Sequence, residues 1–131
     1  MERTSVNPWS WAGPLGFDQA QIIEGYRRQL ICSGQDSVDA DGTPVHPGDM
    51  AAQLTLALDN LEAVLSGADM TLGNVVRLTV YSTDVDELIK NWGQLTDRFG
   101  KSDSRFTTSV VGVSRLAAPG LMVLLEANAY D

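Results

Sequence analysis

The side chains able to act as nucleophiles or soft metal ligands are scarce in this chain: one cysteine, Cys32, and one histidine, His46. A cysteine nucleophile needs a base within reach, and a zinc site needs three or four nitrogen or sulfur ligands. Cys32 follows the apolar pair Leu30-Ile31 and reads as a small core residue before a reactive thiol. His46, between Val45 and Pro47, belongs to a polar loop and is expected to be exposed. No metal site, no disulfide within the chain and no Cys-His dyad are expected. Asp36, Asp39 and Asp41 look like the start of a calcium loop, but the alternating ligands and the closing glutamate are missing. A solvated turn at Asp41-Gly42 accounts for them. No G-x-G-x-x-G or phosphate loop is present, so no cofactor is expected. Glu126 is a possible acid or base near the end of the chain. Arg77 is read as bridged to an acidic neighbour in the sheet before it is read as a substrate ligand. Ser33-Gly34 offers hydrogen-bond donors, although a turn explains both residues equally well.

Those residues must be held by something, and length limits what that is. With 131 residues, one domain over 1–131 is expected, burying about two-thirds of its unfolded surface. Nine basic against seventeen acidic residues leave a net charge of −8, the wrong sign for a phosphate backbone, so nucleic acid is excluded as a partner. A run of about 18 apolar residues, the length of a membrane span, is absent. The opening residues also lack the apolar stretch of a secretion signal. A cytoplasmic protein with no membrane partner is the expectation.

Asn7 to Pro14 is rich in turn formers and carries Trp9 and Trp11, so it reads as an ordered loop. Its tryptophans go either into the core or to a subunit interface or pocket rim. Gln21 to Glu24 and Gln29 to Ser33 read as strands joined at Gly25-Tyr26, and Gln35 to Asp49 as loop. Asp49 caps a helix to about Ser66, with Met50, Leu54, Ala57, Leu58, Leu61 and Leu65 as its buried stripe. Asn74 to Ser82 is a strand placing Val76, Leu78 and Val80 on one face and Arg77, Thr79 and Tyr81 on the other. A second helix, capped by Asp84 or Asp86, carries Leu88, Trp92, Leu95 and Phe99 inward and stops at Gly100. Strands Thr107 to Ser114 and Leu121 to Tyr130 close the chain around a turn at Ala118-Pro119-Gly120. The fold class is α+β, in the order β-β-α-β-α-β-β, with two helices on one face of a mixed six-stranded sheet. The other face needs water or a partner.

Several strings in this order resemble one family: Ile31-Cys32-Ser33-Gly34-Gln35, Leu58-Asp59-Asn60-Leu61, Asn74 to Tyr81, Val113-Ser114-Arg115-Leu116 and Leu125-Glu126-Ala127. Together they span roughly residues 20 to 131 and resemble the Rid (YjgF-like) family of reactive-intermediate deaminases. The resemblance implies a chorismate-mutase-like fold, a homotrimer and small-molecule pockets between subunits. It also implies hydrolysis of imines and enamines. A family arginine holds the substrate carboxylate, since a guanidinium fork matches it bidentately. A family glutamate activates water, and a tyrosine helps close the pocket. Counted along the matching strings, these positions fall on Thr108, Leu124 and Ile22, and a further pocket position falls on Asn91 or Trp92. All three expected groups are missing.

Arg105, an odd number of residues before Thr108, would face the other way in a regular strand, and only a bulge would re-aim it. Glu126 shares the face of Leu124 and is either a displaced acid or base or a structural carboxylate at a subunit contact. The expected pocket is inter-subunit and mostly apolar, with Thr108, Leu124 and Glu126 lining it and Ile22, Trp92 or a tryptophan of the N-terminal loop closing it. Two functions follow: hydrolysis of an imine, enamine or related C–N bond in an uncharged or aromatic substrate, or non-catalytic ligand binding or partner stabilisation. A nuclease activity, attached to some relatives, is opposed by the charge.

Overall fold

The computed structural model describes residues 1–131. Its core is built where the sequence alternates or repeats most cleanly. In α1 (Met50–Gly67) the predicted stripe is buried in full, and Asp49 accepts a hydrogen bond from the Ala52 N–H at 3.0 Å. Gln53 is buried in the same stripe. Its amide donates to the carbonyls of His46 and Gly120 and accepts from the Met122 N–H, so one polar side chain pins two loops to the helix.

Four strands form the main sheet in the order β3 (Gln29–Ile31), β6 (Val123–Tyr130), β4 (Val75–Ser82), β5 (Thr107–Gly112). The β3–β6 and β6–β4 pairings are antiparallel and β4–β5 is parallel. A parallel neighbour requires a crossover, here made by α2 (Val85–Lys90) and α3 (Trp92–Lys101). Leu78, Val80, Val123, Leu125 and Ala127 join the helices in one core cluster. Arg77, Thr79, Tyr81, Leu124 and Glu126 alternate with them onto the opposite face, which no other layer of the chain covers.

The structure corrects three expectations. The single six-stranded sheet is instead this four-stranded sheet and a separate ribbon of β1 (Glu2–Val6) paired antiparallel with β2 (Ala20–Glu24). Strand β1 escapes a reading based on alternation because the residue it turns inward is a charged one, Arg3. The guanidinium of Arg3 donates to the carbonyls of Gly73, Val75 and Arg105 and so ties the ribbon to the sheet. The predicted second helix is two, broken at Asn91, whose side-chain amide donates to the Glu87 carbonyl at 2.9 Å. The chain therefore has three helices; Asp84 caps α2 by accepting from the Glu87 N–H. Arg77 meets no acid and donates instead to Ser109 Oγ at 2.9 Å, a diagonal neighbour on β5 that pairs with Thr79. Cys32 is buried, which raises its thiol pKa above the ordinary value. Trp9 and Trp11 stay out of the core and are largely exposed.

A candidate pocket at the ribbon edge of the sheet

The parallel register places Thr108 opposite Leu78, so Thr108 faces the helices. The first turn of α3 brings Trp92 beside it, and the loop before β2 brings Leu15 and Phe17. With Ile89 and Val110 these residues enclose a hollow of about 320 Å³. The indole Nε1 of Trp92 donates to the Leu15 carbonyl at 2.9 Å and so holds the loop against the helix. Gly16 makes the approach possible: its φ is 86°, and a Cβ there would sit 2.8 Å from the Thr96 methyl. Thr108 Oγ1 is buried and has no hydrogen-bond partner in the chain. It is the one polar anchor in an otherwise apolar lining, the usual composition of a small-molecule site.

Beside the hollow lies a polar network that keeps its wall in place. Asp18 is buried, and its carboxylate accepts from Ser5 Oγ (2.6 Å), Asn7 Nδ2 (3.0 Å), Gln21 Nε2 (2.9 Å) and Arg105 Nε (2.8 Å). Burial alone would raise its pKa, but these four donors prevail and hold it well below the ordinary carboxylate range. Arg105 also donates to the Phe17 carbonyl at 2.6 Å. It lies just before β5, where strand parity does not apply, and its direction is set by Asp18 rather than by a bulge. Arg105 is thus committed to the network and does not replace a carboxylate-binding arginine at Thr108.

The remaining predicted site residues lie elsewhere in the chain. Leu124 and Glu126 pair with Tyr81 and Thr79 on the open face, the opposite side of the sheet from Thr108. A Cβ on Gly34 would meet Leu124 Cδ2 at 2.5 Å, so the turn after Ser33 closes directly over Leu124. Glu126 is exposed and forms no salt bridge within the chain. Ile22 sits on the ribbon opposite Thr4, half exposed. One chain therefore brings Thr108 to Trp92, and Leu124 to Gly34 and Glu126, but does not join the two groups in one cavity. Asp18, Phe17, Leu15 and Ile89 went unread in the sequence. The only local signal was the Pro14-Leu15-Gly16-Phe17 turn, which places two apolar side chains around a glycine.

The family model described as Endoribonuclease L-PSP matches residues 16–130. The chain belongs to the Rid (RutC/YjgF-like) family. A RutC family protein of Pyrococcus abyssi is 30% identical over 118 residues, which cover 89% of this chain and 88% of the relative. The crystal structure of a Rid family protein from Yersinia pestis is similar over 100% of both chains, with a TM-score of 0.89 and 31% identity. A 2-iminobutanoate/2-iminopropanoate deaminase of Escherichia coli is 36% identical over 58 residues, 44% of each chain. The α+β arrangement with its mixed sheet is thus that of other Rid proteins, and the N-terminal loop ahead of residue 16 lies outside the matched segment.

Proposed function

We propose that this Rid protein is a homotrimer whose inter-subunit pockets hydrolyse an imine, enamine or related C–N bond in an uncharged or aromatic substrate. The observation that carries this reading is the hollow beside Thr108, apolar but for one hydroxyl, where the resemblance implies an arginine for carboxylate-bearing substrates. A second copy is required to complete it, because Leu124, Gly34 and Glu126 lie across the sheet. Ile31, 71% exposed, and Val111 stand on the same open face and supply the apolar surface a neighbouring copy would cover. Glu126 of that copy then takes a proton from water as the oxygen attacks the imine carbon. Glu126 passes that proton to the nitrogen to give the neutral carbinolamine, then takes the carbinolamine hydroxyl proton and delivers it to the nitrogen as the C–N bond breaks, releasing a carbonyl compound and an amine.

Purified protein is assayed with imines generated in situ, with and without a carboxylate, following carbonyl release. Neutral aromatic imines should turn over and depend on Glu126, with Glu126→Gln inactive but still trimeric. Amino-acid-derived imino acids should turn over more slowly than in an arginine-bearing relative by a factor of roughly 30 to 1000, the loss of one charge-assisted pair. Preference for the imino acids would refute the substrate reading. A light-scattering mass near one 14.1 kDa chain would refute the trimer. A second reading, a non-catalytic trimer that binds a ligand or stabilises a partner, is favoured by one fact: no acid or base lines the hollow itself. Binding without turnover of any imine would select it.

A further inference from the structure

The hollow beside Thr108 has a neighbour. A second recess of about 230 Å³ shares Phe17 and Thr108 with it and is otherwise lined by Trp11, Asp18 and Gln19. The Trp11 ring stands edge-on to Phe17, with centroids 5.9 Å apart and planes at 78°, yet 59% of the residue is exposed. An indole steadied by another ring, with its own surface left open, is a platform for a third ring. Thr108 lines both recesses, and its Oγ1 is removed from solvent and without a partner in the chain. Native structures almost always satisfy a polar atom so placed.

Charge narrows the choice of ligand. The one ionisable side chain lining either recess is Asp18, and its charge is met by Arg105 at 2.8 Å. No unpaired cation is available there to hold a carboxylate, and Asp18, kept ionised, repels one. Its oxygens are also occupied by Ser5, Asn7 and Gln21, which leaves no free acceptor for a cation.

We infer that Thr108 and Trp11 are the specificity-determining pair of this site, selecting a neutral aromatic molecule. Its ring lies against Trp11 and Phe17 while a carbonyl, amide or imine group exchanges a hydrogen bond with the Thr108 hydroxyl. This rests on the reading of the hollow as a ligand site. It goes beyond that reading by giving the N-terminal loop, largely outside the family-matched segment, the task of choosing the ligand.

Three probes of similar size separate the contributions: benzamide, benzoate and cyclohexanecarboxamide, titrated by calorimetry into the intact protein and into Thr108→Val and Trp11→Leu. Benzamide should bind tightest, with benzoate at least about 10-fold weaker because its charge finds no partner. Thr108→Val, which keeps the shape and removes the hydroxyl, should weaken benzamide by about 2- to 12-fold. Trp11→Leu should weaken benzamide by a similar factor while changing cyclohexanecarboxamide little. Circular dichroism checks that both variants remain folded. Absence of benzamide binding, benzoate binding equal to benzamide, or indifference of benzamide to either substitution would each overturn the inference. Binding is read without turnover, so this pattern in a protein that hydrolyses no imine upholds the ligand assignment and removes the hydrolytic function. Hydrolysis of neutral aromatic imines that is unaffected by both substitutions does the reverse.

Discussion

Asp18→Asn tests the network that holds the ribbon to the sheet. The substitution preserves shape and removes the charge. Each carboxylate oxygen now accepts two hydrogen bonds, Oδ1 from Asn7 and Arg105 and Oδ2 from Ser5 and Gln21. Turned toward Asn7 and Arg105 the new NH₂ group confronts two donors, and turned toward Ser5 and Gln21 it still confronts the Gln21 amide, although the Ser5 hydroxyl can rotate to accept from it. Removing one partner of a buried ion pair costs about 3–5 kcal/mol. Arg105 is 41% exposed and water re-solvates it, which reduces the expected loss to about 2–3 kcal/mol. For a chain of this length that corresponds to a fall in Tm of about 6–15 °C by calorimetry near neutral pH. The pH dependence has a definite sign. The folded-state pKa of Asp18 is depressed from 3.8, so its contribution is present above that value and is lost as pH falls through it toward the lower folded value. The gap between wild type and variant should therefore narrow as the solution is taken below about pH 4. A Tm change under about 2 °C, or a gap that stays constant into acid, would refute the reasoning.

Thr108→Val should stabilise the chain by about 1 kcal/mol in urea denaturation, since it removes a buried hydroxyl that has no partner; a loss of that size would reveal an acceptor. Gly34→Ala should cost about 1–3 kcal/mol, because the new methyl meets the Leu124 side chain at 2.5 Å. Much of that cost should be recovered when Leu124→Ala is added, and additive losses would contradict the contact. Cys32, buried and with its thiol pKa raised, should react with iodoacetamide slowly in the native protein and rapidly in denaturant. Equal rates would show that the thiol is accessible.

Helix α1, strand β4 and the last strand were legible in the sequence because each follows one period cleanly and turns one apolar face inward. Strand β1 was not, because it is anchored by Arg3 through backbone carbonyls distant in sequence, a bond with no local signature. The break at Asn91 was hidden for a related reason. Leu88, Leu95 and Phe99 keep helical spacing across it, and only the Asn91 side chain bonding to the Glu87 carbonyl distinguishes two helices from one. At the site, strand parity correctly placed Leu124 and Glu126 on one face. Grouping Thr108 with them needed the β4–β5 register, which pairs Thr108 with Leu78 and which no spacing within β5 discloses. The walls contributed by Leu15 and Phe17 depend on a turn at Gly16 and on the Trp92 hydrogen bond, both tertiary facts.

The ribbon is fastened to the sheet mostly by side chains: Arg3, Gln21 and Arg105 reaching across, with the Asp18 N–H to the Phe106 carbonyl as a backbone link. Such an attachment can release without opening the sheet, so the first two dozen residues should exchange their amide protons faster than β4 and β6, as a unit of their own. A ligand seated in the proposed hollow would then enter and leave as that segment opens. An N-terminal segment exchanged between relatives would carry its ligand preference onto an unchanged scaffold.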